Sequence, residues 1–150
     1  MRIDRLFRAV AAALLAASPA GACTISATGV TFGAYDPTSA SNDDGTGSVA
    51  LACPPSVSAP VVALEGGAYG SIAARRMRNG VYFLNYNLFT DPTRLILWGN
   101  GALGSTVTLS GGTVTAGQRN FSRNIYGRIP AGQNVGAGTY GDTLVVTVIF

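Results

Sequence analysis

"GTYGDTLVVTVIF", residues 138–150, closes the chain, and the fold turns on how it is read. Gly138 to Asp142 are turn residues. From Thr143 to Phe150 the pattern is that of a strand, with Leu144, Val146, Val148 and Phe150 on one face. The sequence stops there on an aromatic residue, with no turn and no returning strand. Proteins normally pair, cover or charge an apolar strand edge, and no Lys or Pro blunts this one. The expectation is a sheet in which the place beside residues 143–150 is left for another polypeptide. A closed sandwich that ends on a strand carries the same pattern, so the residues alone leave both open.

The rest of the chain agrees with an all-β fold. Of its 150 residues 47% are apolar, only 11% are charged, and 20 are Gly. Val, Thr, Ile, Tyr and Phe recur in short runs between Gly, Asn, Asp and Pro. Strands are expected near 23–28, 30–35, 47–53, 60–65, 80–89, 93–98, 104–110, 113–116 and 142–150. That spacing is the one found in sandwiches and barrels. "SNDDGTG" (41–47) reads as a polar loop, residues 68–80 as a long connection, and 126–142 as irregular. In "VYFLNYNLF" (81–89) Tyr82, Leu84, Tyr86 and Leu88 share the face expected to point inward, and Trp98 is a further core candidate.

The first 22 residues are different. Arg2, Arg5 and Arg8 precede an apolar run from Ala9 to Ala17, followed by Ala20-Gly21-Ala22. This is the pattern of a secretory signal peptide cut before residue 23, leaving one domain at 23–150. The apolar run falls short of the roughly 20 residues a membrane span needs. All ten basic residues are Arg. Without the leader, seven remain against six carboxylates, so the net charge falls from +3 to +1. That balance gives no reason to expect nucleic acid as a partner.

The two cysteines, Cys23 and Cys53, read as one disulfide in an exported chain. The other reading is that Cys23, as first mature residue, is lipidated. The Leu usual three residues before a lipidated Cys is here Ala20, and lipidation would strand Cys53.

Several stretches together resemble the spore coat protein U family, which includes subunits of archaic chaperone–usher pili. They are "CTISATGVTFGAYDP" (23–37), "GTGSVALACP" (45–54), "RRMRNGVYFLNYNLFTDPTRLILWGNG" (75–101), "IYGRIPAGQ" (125–133) and "GTYGDTLVVTVIF" (138–150). The resemblance implies an immunoglobulin-like β-sandwich lacking its final strand, with one disulfide pinning the first strand to the third. It implies three partners: a periplasmic chaperone that lends a strand, an outer-membrane usher, and a neighbouring subunit that donates the lasting strand. Leu144, Val146, Val148 and Phe150 would then line the groove, and the protein would pass through the periplasm to a surface pilus. Polymerising subunits of that family carry a donor extension ahead of the first Cys. None is evident before Cys23, which points to a tip, minor or non-polymerising subunit. The alternative function is a stand-alone secreted adhesin or carbohydrate-binding module.

Catalytic chemistry is sparse. The chain has no His, which removes Ser–His–Asp and Cys–His catalysis and His metal sites. A carboxylate pair for glycoside hydrolysis would need two of Asp36, Asp43, Asp44, Glu65, Asp91 and Asp142 to converge, and most lie in expected turns. "GNGALG" (99–104) matches G-x-G-x-x-G, but "STVTLS" after it reads as a strand, which leaves a turn and no phosphate cradle. Asp43 and Asp44 lack the spacing of a calcium loop. "RRMR" (75–78) reads as surface arginines, or as Arg75 packing under the long connection, and "NFS" (120–122) as an idle glycosylation pattern. No enzyme activity and no cofactor are expected.

Overall fold

The structure, a computed structural model, describes residues 22–150. The expected signal peptide therefore lies, all but its last residue, outside the described residues. Nine strands run in chain order: β1 Thr24–Thr31, β2 Asp43–Cys53, β3 Val61–Leu64, β4 Arg75–Asn79, β5 Tyr82–Phe89, β6 Val107–Thr108, β7 Thr113–Thr115, β8 Gln118–Ile129 and β9 Val146–Ile149. No helix occurs among the described residues.

Two sheets form the sandwich. The larger has the order β1-β2-β8-β5-β4, with β7 also paired to β8, and the smaller has the order β6-β3-β9. Every ladder is antiparallel. This is the immunoglobulin-like β-sandwich expected from the sequence. The core lies between the inner files of both sheets. Val49, Leu51 and Cys53 come from β2, Phe121, Ile125 and Ile129 from β8, and Leu84, Tyr86 and Leu88 from β5. Val62 and Leu64 face them from β3, and Trp98 is wholly buried beside them. The Trp98 indole donates to the Val62 carbonyl at 3.1 Å, which satisfies its one polar group.

Several expected elements are corrected. The longest strand, β8, spans residues 118–125, which no expected strand covered, and the start of the segment 126–142 read as irregular. Its register with β2 runs unbroken from Asp43↔Ile129 to Cys53↔Arg119. That same pairing makes most of the expected loop 41–47 part of β2. Arg75–Asn79, taken as connection, is an edge strand paired to β5. The expected strand 30–35 does not form; β1 instead bulges between Thr28 and Thr31 and turns Val30 into the core. The expected strand 93–98 is a loop. The Asp91 carboxylate accepts the N–H groups of Leu95 and Ile96, and Arg94 adopts φ 59°. Only Leu97 and Trp98 make isolated bridges, to Phe89 and Ser105. Residues 104–110 shorten to the two-residue β6.

Candidate functional site

Strands at the edge of a sheet leave one row of N–H and C=O groups unpaired. Here β1 edges the large sheet and β9 edges the small one, and each pairs on one side only among the described residues. Between these two edges lies a narrow apolar cleft. Ala27 to Val30 of β1 form one wall, Leu144 and Val146 the other, and Leu64, Leu88 and Ile125 the floor. Farther along β1 a wider hollow of about 790 Å³ continues the inner face, lined by Ile25, Leu51, Leu109 and Phe121. Ala27 is opposite Val49 and so belongs to the inner file, yet it is exposed while Val49 is fully buried. The inner face of the large sheet is thus covered at its centre and open at its β1 margin.

The wall on the β9 side is set by the segment before it. Gly141 bridges to Arg78 of β4, through N–H···O bonds of 2.8 and 3.2 Å in the two directions. Four residues later Glu65 donates its N–H to Val145, beside β3. The chain therefore crosses from the far edge of one sheet into the other. Asp142 fixes the crossing: its carboxylate accepts the Tyr86 hydroxyl at 2.7 Å and the Ala68 and Thr143 N–H groups at 2.9 and 2.8 Å. Burial, helped by the neighbouring Asp142 charge, pushes the Tyr86 phenol far above its ordinary range, so it stays a donor. This crossing explains why the expected strand 143–150 is regular only over Val146–Ile149.

Beneath the crossing sits Arg75, wholly buried. Its Nε donates to the Glu65 carbonyl, Nη1 to Ile72 and the Asn87 amide oxygen, and Nη2 to Leu64 and Trp98. All five guanidinium N–H groups are thereby used. Burial lowers its pKa to about 10, which leaves it charged at neutral pH. It binds β4 to the end of β3 and to Trp98, and so holds Leu64 in the cleft floor. Of the two placements the sequence allowed for it, the structure shows packing under the connection.

The expected site residues separate into three groups. Cys23 and Cys53 are joined, as the disulfide reading expects, and the bond joins the start of β1 to the end of its ladder neighbour β2. Leu144 is buried and Val146 and Val148 pack half-buried against the core, on one face as expected. Phe150 does not join them: it lies beyond β9 and is 61% exposed. Other expected chemistry is absorbed by structure. Asp44 takes a bidentate pair of bonds from Arg128, which lowers its pKa, and lies 3.2 Å from Arg94. Residues 99–104 form a tight turn closed by Asn100 N–H to the Leu103 carbonyl at 3.1 Å.

What sequence reasoning missed is the β1 wall and the floor from Leu64 and Ile125. The signal was partial: a strand is expected at 23–28, but which strand it flanks follows only from sheet order.

Comparison with known proteins yields three findings. The sequence signature of the Spore Coat Protein U domain matches residues 9–147. "Protein U" of Myxococcus xanthus is 42% identical over 151 residues, spanning 89% of this chain and 80% of that protein. Among solved structures, a similar chain occurs in the CsuC–CsuE chaperone–tip adhesion subunit pre-assembly complex from the archaic chaperone–usher Csu pili of Acinetobacter baumannii. It has a TM-score of 0.57 at 23% identity, over 87% of this chain and 40% of that chain, a likeness of fold.

Proposed function

The chain belongs to the Spore Coat Protein U domain family, a structural and not an enzymatic one, and on that premise we propose that it is a subunit of a surface pilus completed by a strand from another polypeptide. The observation that carries this reading is the apolar cleft between two strand edges, β1 and β9, each unpaired on its outer side among the described residues. A strand laid there pairs with either edge by backbone hydrogen bonds and drops alternate side chains onto Ile125, Leu64 and Leu88. Cleft and hollow together follow β1 from Thr24 to Val30 and accommodate about seven residues, of which three or four point inward. Burying those side chains contributes roughly 6–12 kcal/mol before the cost of ordering the donor.

In this reading a periplasmic chaperone fills the cleft first. At an outer-membrane usher, a strand of the neighbouring subunit then takes its place. Leu144, Val146 and Val148 are the residues that meet both occupants, and the exposed Phe150, beyond β9, meets the chaperone. A tip or minor position belongs to the same reading and requires that the chain accept a strand without giving one.

The test is complementation. The exported chain is purified with and without a synthetic peptide of alternating apolar residues, and its melting temperature and size are measured. The expected result is aggregation or strand swapping alone, and a monomer melting tens of degrees higher with the peptide. A chain that is monomeric alone and shows no shift overturns the reading. Mixing the chain with itself at high concentration separates acceptor from donor: a tip subunit stops at short species, a polymerising one forms fibres.

A further inference from the structure

The outer face of the large sheet carries a second feature, remote from the cleft and independent of it. Strand alternation puts Arg76 and Arg78 of β4 outward, directly opposite Asn85 and Phe83 of β5. Among the described residues each arginine is anchored through Nε alone. Arg76 donates to the Tyr69 carbonyl at 2.8 Å and Arg78 to the Gly80 carbonyl at 2.6 Å. The Arg76 guanidinium lies 4.8 Å from the Phe83 ring centre, and that of Arg78 lies 5.6 Å from the Tyr69 ring centre. The two rings meet edge to face at 6.3 Å. Four side chains thus hold one another in a fixed stack.

The stack leaves two cations whose outward edges meet no partner among the described residues. Among the described residues the ion pairs involve Arg94 and Arg128 with Asp44, and neither Arg76 nor Arg78. No hydrogen bond among the described residues takes up the Nη groups of either residue. Arg76 lines a shallow hollow of about 710 Å³, together with Tyr69, Ser71, Phe83 and Asn85, and Arg78 adjoins it through the Tyr69 ring. A second hollow of about 240 Å³ shares Ala74 and Asn85 with the first and continues past Asn87 to Arg128. Together they make an open track across β4 and β5 toward β8.

We propose that this track binds an acidic polysaccharide, a linear polymer of uronic acid sugars. The chemistry matches part by part. An Nη1/Nη2 edge whose guanidinium is already fixed by Nε takes a carboxylate bidentately with little further ordering. The exposed part of the Phe83 ring offers an apolar surface to sugar rings, and amide side chains suit hydroxyls. An open track admits a polymer where a compact ligand would find no enclosure. Duplex DNA is the poorer fit, because two outward arginines neutralise too few phosphates for useful affinity.

The test titrates the purified chain, with its cleft filled or empty, with oligogalacturonate, neutral dextran and duplex DNA. Oligogalacturonate is expected to bind and the other two are not. Binding falls at least tenfold in the Arg76→Gln/Arg78→Gln double variant and several-fold in Phe83→Ala, while Arg76→Lys, which keeps charge without the fork, lies between. These residues are exposed, so the variants melt within a few degrees of the parent. Val146→Asp, in the cleft, leaves oligogalacturonate binding unchanged whatever it does to strand acceptance. Equal binding by the double variant, equal binding of dextran, or DNA binding as tight as the uronate overturns the proposal.

Discussion

Gly45 and Gly127 are Cα partners across the β2–β8 ladder, and the Phe32 ring lies over both. A Cβ on Gly127 would stand 2.6 Å from the ring and 2.7 Å from a Val30 methyl, both side-chain atoms. A Cβ on Gly45 would stand 2.4 Å from the Thr31 carbonyl oxygen, which is backbone. The two glycines therefore let the end of β1 fold down onto the inner face, which is what shapes the β1 side of the cleft.

Both substitutions to Ala destabilise by about 1–3 kcal/mol through overpacking, but only one is repairable. Adding Phe32→Ala restores much of the loss in Gly127→Ala, because the obstructing ring is gone. It does not restore Gly45→Ala, where the obstruction is the chain itself. Urea titration of the two double-mutant cycles measures this. Equal rescue in both would refute the assignment of the close contacts.

Arg75→Lys is expected to cost about 2–4 kcal/mol, because an ammonium cannot reach five acceptors and leaves buried carbonyls unmet. Arg75→Met removes the charge but leaves the same carbonyls of Leu64, Glu65 and Trp98 unpaired, so it does not recover the loss. Denaturant midpoints check both. A loss below about 0.5 kcal/mol for Arg75→Lys would mean the guanidinium network is dispensable.

These two sites show where the sequence was legible. The alternation of Leu84, Tyr86 and Leu88 and the aromatic bulk of Trp98 announce burial directly, and two cysteines in a chain read as exported announce their bond. β8 was hidden because Ser122, Arg123 and Asn124 form a polar run between Phe121 and Ile125, and Gly127 occupies an inner position where an apolar residue is expected. Its identity as a strand comes from β2 across the ladder, a partner more than 60 residues away in sequence. β4 was hidden because three arginines in "RRMRN" look alike in sequence, although one is buried and two face out. The loop at 93–98 deceived in the other direction: "RLILW" is apolar enough for a strand, but Leu95 and Ile96 are exposed, held in a turn by Asp91. The cleft was legible as one wall, residues 144–148, and not as a site.

That Asp91 turn makes a pH prediction. The Thr93 hydroxyl, then the Ile96 and Leu95 N–H groups, hold the Asp91 carboxyl at about 2, below the ordinary 3.8. A carboxyl depressed on folding favours the folded turn above pH 3.8, and the preference fades as pH falls through about 2. Amide protection at Leu95 and Ile96, relative to the unfolded chain at the same pH, should hold at pH 4 and be lost toward pH 2. Asp91→Asn should exchange faster at every pH and lose the transition. A transition centred at or above pH 4 would contradict the hydrogen bonds.

The disulfide closes a loop with a sequence separation of 30 residues. On the chain-entropy account it stabilises by roughly 3–4 kcal/mol. Cys23→Ser with Cys53→Ser should lower the denaturation midpoint accordingly. Because the bond ties β1 to β2, the loss should fall first on β1, seen as faster amide exchange at Ile25 to Thr28 than at β5. Uniform loosening of both sheets would argue against a local role at the cleft wall.

Face selectivity along β9 separates a strand-accepting cleft from a merely apolar margin. Val146 faces the cleft and Thr147 faces away on the same strand. Val146→Asp puts a carboxylate where an incoming strand would have to bury it unpaired, a cost of several kcal/mol. Thr147→Asp adds the same charge to the same backbone but keeps it in water. Alone, Val146→Asp is expected to change stability by less than about 1 kcal/mol, since the position is half-buried and the carboxylate stays hydrated. With the alternating peptide, Thr147→Asp should keep the rise in melting temperature and Val146→Asp should lose it. Phe150→Ala should keep it too, because Phe150 is exposed and outside the cleft lining. If Val146→Asp accepts the peptide as well as Thr147→Asp does, the incoming strand does not lie against this face, and the cleft is not where the subunit is completed.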